Sequence, residues 1–444
     1  MAINASYFYE LDLKPVWEDD AGQFYRRLTY LLLVIIALAA ITGIVVPAGL
    51  GWDFANFYDT GRRAAALQIA DIYKPETLIA GSKPQGAMPF WGAPISAFFY
   101  APLGLFSPEV ALSLFKFQNT AVYFLALWLM YRHNRQFIDS SAQAQWKYKA
   151  LYAGAILLFQ PFWAIYRIGG QSMPTVFFLL TMALLYHTKG KTGISANCLF
   201  LALLIKPGFV FMLLPLCLVS GWKFLRSLLF ISMAVGLGSI LLLGWDIHAE
   251  FLQVMLQGIK NAYPWLYNSS LYVEAENLRL LAVPPVDIRV LVIPVMLVKL
   301  SMVLLFGWLY WLSSRENWSI AARRHFDFLM AVTFCLMFSQ TVWEHYLTAL
   351  FLLLIYLVTV AQGLSSSALV LLAAIFATSL MQNIIVVNIL NSQFSFDSIP
   401  ELIGIGLLKS CPLWLTLVFL IWHQKEFFQS YQLPQWGKIA VASS

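Results

Sequence analysis

The run LTYLLLVIIALAAITGIVVPAG, residues 28–49, carries no charged side chain, and GWDFANFYDTGRR, residues 51–63, follows it almost at once. About 22 apolar residues at ~1.5 Å rise each are enough to cross a bilayer core as a helix. The first carboxylate after that run is Asp53, flanked by Trp52 and Phe54, with Arg62 and Arg63 further along. A single acid therefore stands at a membrane–water boundary, inside an aromatic collar. The rest of the chain reads as a hydrophobic frame around it.

Composition agrees with that reading. Hydrophobic residues make up 60% of the 444 and charged residues 11%, against roughly a quarter charged in a soluble domain. This is the balance of a polytopic membrane protein. The net charge of +6 is no sign of a nucleic-acid partner, because the basic residues are scattered in short loops, as membrane orientation requires. The cysteines Cys198, Cys217, Cys335 and Cys411 lie in or beside apolar runs, without the spacing of a metal site or a disulfide framework. They read as free thiols. Residues 1–27, mostly polar and carrying Lys14, Arg26 and Arg27, read as a cytoplasmic segment, so that the first run acts as an uncleaved anchor.

Apolar runs then predict an all-α bundle of about twelve spans. They fall at 28–49, 109–131, 150–168, 174–187, 193–205, 208–220, 227–244, 289–313, 326–341, 347–362, 366–390 and 402–422. The transmembrane domain is thus 28–422, with outer loops at 51–92 and 245–288 and a cytoplasmic tail at 423–444. Residues 53–70 have helical composition, and 81–94 are rich in Gly and Pro turns. The apolar segment 95–106 is too short to span and reads as re-entrant or interfacial. Arg132, Arg135, Lys147, Lys189, Lys191, Lys223, Arg226, Arg315, Arg323 and Arg324 fall on the inner side, and both termini do too. Arg62, Arg63, Lys74, Lys206 and Lys260 fall on the outer side instead. Cations that break the orientation bias need another reason, and binding an anion supplies one.

An acid and cations on one face suit sugar transfer from a polyprenyl phosphate. A base must take the acceptor hydroxyl's proton, cations must meet the growing charge on the departing phosphate, and a lipid-open groove must hold the chain. Asp53 is the candidate base. Lys206, His345, Arg62 and Arg63 are candidate phosphate partners. Gln171, Asn261, Asn268 and Asn277 are suited to sugar hydroxyls, and Trp52, Trp91, Trp265 and Tyr346 to sugar faces. Tyr58 and Glu344 complete the expected substrate site. Plainer readings stand beside each. By position alone Asp53 reads first as the mark of a helix end and Gln171, after two glycines, as a turn residue; Lys206-Pro207 also suits a turn with a snorkelling lysine, and Glu344 with His345 an interfacial pair. The acids are dispersed, with no Asp-x-Asp pair, so metal dependence is not expected and no cofactor is implied.

Five stretches, in order, resemble glycosyltransferase family 87 of the GT-C superfamily. They are Asp53-Phe-Ala-Asn-Phe-Tyr58 with Asp71-Ile-Tyr73; Pro94 to Pro102-Leu-Gly, after a diverged Trp91-Gly-Ala; Gly170-Gln171; Leu204-Ile-Lys206-Pro207; and Ser339 to Trp343-Glu-His345-Tyr346. The resemblance implies a GT-C helical bundle with outer-face loops and juxtamembrane helices. It implies a cell-envelope enzyme of the plasma or inner membrane, a mannosyltransferase or relative. The donor would be a polyprenyl-phosphate sugar, and the acceptor a lipid or glycan hydroxyl at the outer face. It places the base on Asp53, with inversion at the anomeric carbon, and adds Lys206 and His345 to the site. The alternative from another class is a transporter or flippase of lipid-linked saccharides, which needs a polar path through several spans. Nearly uncharged span interiors speak against it. A purely structural membrane protein would leave the acid and cations on one face without a reason.

Overall fold

The computed structural model describes residues 20–45, 52–73, 90–161, 163, 170–260, 268–282, 284–381 and 399–432. Lys74, Asn261, Trp265, most of the turn-rich 81–94 stretch and the side chains of Trp52 and Lys260 lie outside it. Among the described residues the chain is all-α, with 17 helices. Five of them are long and apolar enough to cross a membrane: α1 (Asp20–Val45), α4 (Pro108–Asn134), α9 (Gly221–Leu243), α12 (Ile288–Arg315) and α16 (Ile399–Trp422). Shorter apolar helices fill the bundle, among them α6 (Met173–Thr188), α7 (Thr192–Ile205) and α15 (Ser366–Met381). The architecture is that of a multi-pass helical membrane protein.

The centre is α13 (Ile320–Phe338) with α14 (Phe351–Thr359), both buried almost throughout. From Phe328 onward α13 is apolar on every side, as is α14, and such a helix has no solvent face to offer and goes to the middle. Phe351 of α14 stacks on Phe159, just after α5 (Ala142–Leu158), with ring centroids 4.5 Å apart. The most apolar stretches of α9 and α12 are only 11% buried in each case, so these two helices face lipid. Ionisable side chains nevertheless sit inside helices of the bundle, among them Lys116, Lys299, Asp327 and Lys409. Lys116 has a structural use, because its Nζ donates to the Gly43 carbonyl at 3.2 Å and caps the end of α1.

Basic side chains gather at one end of the bundle. Gly190, after α6, packs against Arg324 of α13, and the His133 and His325 rings of α4 and α13 stack there at 5.6 Å. The expected tail begins at this end with a packed helix, α17 (Gln424–Ser430). Glu426 accepts from Ser365 N at 2.7 Å, and Tyr356 and Ser430 hydroxyls meet at 2.8 Å. Its Phe427 and Phe428 carried no signal beyond hydrophobicity, which a tail also permits.

The opposite end holds Asp53. Here α2 (Trp52–Ala65) is the helix expected within 53–70. It lies against the stretch 94–105, which winds as 3₁₀, one α-turn α3 (Ala97–Tyr100), and 3₁₀ again. A Cβ on Gly61 would collide with the Tyr100 carbonyl, and one on Gly104 would stand 2.6 Å from Arg62 Cα. The two backbones touch, so glycine is needed on both sides of the contact. The expected loop 245–288 contains two helices, α10 (Trp245–Lys260) and α11 (Val273–Leu280). α10 packs one face inward: Ile247 is buried, and Phe251 reaches Tyr73 at 6.0 Å between ring centroids, while Leu252 and Leu256 are exposed.

Candidate active site

Asp53 lies in the first turn of α2. Gln171 hydrogen-bonds to its carboxylate, and the Lys206 ammonium faces it. Three separate elements deliver these groups. Gly170 adopts φ +100°, a conformation few other residues tolerate, and turns the chain into α6 with Gln171 aimed at Asp53. Lys206 ends α7 because Pro207 follows; it leaves the helical conformation (φ −134°, ψ 83°), and the chain continues as 3₁₀ over Pro207–Met212. Ala93 N bonds to Leu204 O at 3.2 Å, fixing the 90–96 stretch beside that end.

The third wall is the 3₁₀ stretch Glu344–Leu350, which carries His345 and Tyr346. Lys206 Nζ lies 5.3 Å from the Tyr346 ring centroid and 5.6 Å from that of Phe57, one turn beyond Asp53 on α2. Two aromatic faces thus hold the ammonium. Phe57 was not singled out from sequence, although its i+4 spacing from Asp53 puts it on the same helical face.

Electrostatics follow from burial. Asp53 keeps partial solvent access but is packed closely by protein, and that burial pushes its carboxyl above the ordinary range. Lys206 and Gln171 pull in the other direction without cancelling it. Burial lowers the Lys206 ammonium to about 8, opposed by Asp53. His345 is held well below its usual value by burial and then by Lys206, so its ring is neutral. Buried polar atoms are ordinarily hydrogen-bonded. Gln171 Oε1 and His345 Nε2 are both buried without a hydrogen-bond partner among the described residues. They are unspent contacts at the edge of an acid–cation pair.

Of the other expected residues, Glu344 opens the same 3₁₀ wall as His345, while Arg62, Arg63 and Tyr58 are turned elsewhere. At ~100° per residue, Arg62 lies roughly half a turn round α2 from Asp53, and its side chain is exposed. Arg63 is buried and donates Nη1 to the Asp71 carbonyl at 2.7 Å, closing the turn after α2. Tyr58 donates its hydroxyl to the Phe106 carbonyl at 2.8 Å. Asn268 spends its amide oxygen on Ser270 N and Val342 N, tying 268–270 to 340–343. Asn277 is buried on α11, beside Glu276. Glu344 is buried next to His345. Among the described residues no three His, Cys, Asp or Glu side chains gather as metal ligands.

An acid held by an amide and an ammonium thus stands at one end of a multi-pass helical bundle. The chain matches the glycosyltransferase family 87 model over residues 90–339, more than half of its length, and it belongs to that family. Gln171 and Lys206 fall inside the matched segment; Asp53 and His345 flank it. Neither a curated protein nor a solved structure matches the chain.

Proposed function

We propose that the protein transfers a hexose, mannose in the first instance, from a polyprenyl-phosphate donor to a hydroxyl of a lipid or glycan at the outer face of the membrane. The observation that carries this reading is the buried group of Asp53, Gln171 and Lys206. Asp53 takes the proton of the acceptor hydroxyl. That oxygen attacks the anomeric carbon in line, and the bond from the anomeric carbon to the phosphate oxygen breaks. The electron pair leaves with the polyprenyl phosphate, which gains a negative charge. Lys206 meets that charge, and this preorganised cation is worth most in a water-poor site. A carboxyl raised by burial is a better base near neutral pH than an ordinary one. Gln171 orients it. Neutral His345 offers a hydrogen bond to a sugar hydroxyl or to the leaving oxygen. A single displacement inverts the anomeric centre, so a β-linked donor gives an α-linked product.

The test is transfer from labelled polyprenyl-phosphate mannose in membranes containing the protein, with the linkage read by NMR. An α-linked mannoside from a β-donor is the expected product. A β-linked one would exclude single displacement. Transfer from no mannose, glucose or pentose donor would move the flippase reading ahead.

A further inference from the structure

Lys299 is the one charged residue between Arg289 and Arg315, in a helix that otherwise faces lipid. Ten residues from Arg289, it sits ~15 Å along the axis. A charge at that depth is costly and needs a use. Helix geometry puts it on a border. Met296 and Val303, three residues before and four after, are exposed to lipid, whereas Met302 is buried. The ammonium turns inward, 5.3 Å from the Tyr272 ring centroid and 5.7 Å from that of Phe338. It donates to Gln340 Oε1 at 3.4 Å. Gln340 Nε2 donates to Glu276 Oε1 at 2.7 Å, and Glu276 Oε2 pairs with Arg279 at 2.9 Å. Arg279 thus pairs with the carboxylate directly, and Lys299 reaches it through the Gln340 amide. Lys116, the lysine inside α4, caps a helix end; Lys299 instead ties α12 to Gln340 and, through it, to Glu276 of α11.

This cluster joins the active site. Gln340 leads, within a few residues, into Glu344 and His345. Phe338 packs on Phe211 at 5.1 Å between centroids, and Phe211 belongs to the 3₁₀ turn that Lys206 opens. Lys206 and Lys299 are therefore linked through one turn, Lys206 facing Asp53 and Lys299 standing where α12 borders lipid at Met296 and Val303. A ligand that is an anion at one end and a hydrocarbon at the other fits such a border, and a free anion has no way to use the lipid face.

We propose that Lys299, with Gln340 beside it, receives the phosphate of the polyprenyl donor from the lipid side, the prenyl chain lying along the Met296–Val303 face of α12. This rests on the polyprenyl-phosphate reading above. The experiment is binding of labelled undecaprenyl monophosphate to the full-length protein in phosphatidylcholine nanodiscs. Wild type should bind. Lys299→Met should bind about tenfold or more weakly, the loss expected for a charge-assisted contact, and Lys299→Arg should retain most affinity. Wild-type binding with an equal affinity for Lys299→Met overturns this proposal and leaves the donor reading standing. Absence of wild-type binding removes the donor reading and this proposal together. Equal displacement by phosphatidylglycerol makes the site a general anionic-lipid contact and overturns the proposal. Should Lys299→Met not fold, a photoreactive undecaprenyl phosphate on the wild type decides. Labelling of α12 near Met296 and Val303 supports the proposal, and labelling confined elsewhere contradicts it.

Discussion

At the scale of residues, the pair Asp53–Lys206 sets a pH profile. Transfer needs Asp53 deprotonated and Lys206 charged. Burial raises the first and lowers the second to about 8, so both limbs move toward neutrality. The profile of kcat/KM should be a bell whose limbs belong to the pair as a whole, with the alkaline limb near pH 8. Lys206→Arg keeps a cation at higher pH and should move that limb upward; a limb left in place would show that Lys206 does not set it. Tyr58→Phe removes only the bond to the Phe106 carbonyl. It should cost about 1 kcal/mol of stability and leave transfer unchanged, where a substrate ligand would lose activity. Much of this site was legible. Asp53, Gln171, Lys206, His345 and Tyr346 were each read from sequence, and the structure brings Asp53, Gln171, Lys206 and Tyr346 together with His345 beside Lys206. Arg62 and Arg63 were grouped with them because they share a segment. Rotating that segment as a helix sends Arg62 to the far side, a step the linear reading omitted. Lys299 could have been found as the single charge in an apolar run.

At the scale of elements, the site is framed by 3₁₀ stretches at 94–105, 207–212 and 344–350. These tighter turns end apolar helices early, which is why several segments are too short to be counted as spans. Pro94, Pro102 and Pro207 announce the first two. The third has no proline and looked like the start of a span. Its geometry comes from packing around His345 and Leu347, which no local propensity encodes. Helices α10 and α11 were not placed individually from the sequence, where 245–288 reads as one long outer loop. The contact of α2 with the 94–105 stretch supports Asp53 from behind. Gly61→Ala forces a methyl into the Tyr100 carbonyl and should destabilise by ~1–3 kcal/mol. Thermal unfolding in detergent measures it. A variant as stable as wild type would mean that the two backbones are not held in contact.

At the scale of the molecule, the two ends of the bundle have separate work. One end carries the acid–cation site. The other is closed by α17, whose Phe427 and Phe428 are buried against the ends of α13 and α14. Phe427→Ala should lower stability by roughly 3 kcal/mol while sparing the KM for donor, since it lies at the end away from Asp53; a donor-specific loss would contradict that separation. Composition and apolar runs made the all-α membrane bundle legible. They did not show which helices are central, because lipid and protein interior select the same apolar side chains. The central claim is that Asp53 is the base, and Asp53→Asn tests it most directly by removing the base while keeping its size. With labelled polyprenyl-phosphate mannose and equal amounts of folded protein in the membrane, transfer by Asp53→Asn should fall by about 10²–10⁴-fold, the range expected for a lost general base. Transfer equal to wild type would make Asp53 a structural acid and send the search for the base to Asp59, Asp71 or Glu344.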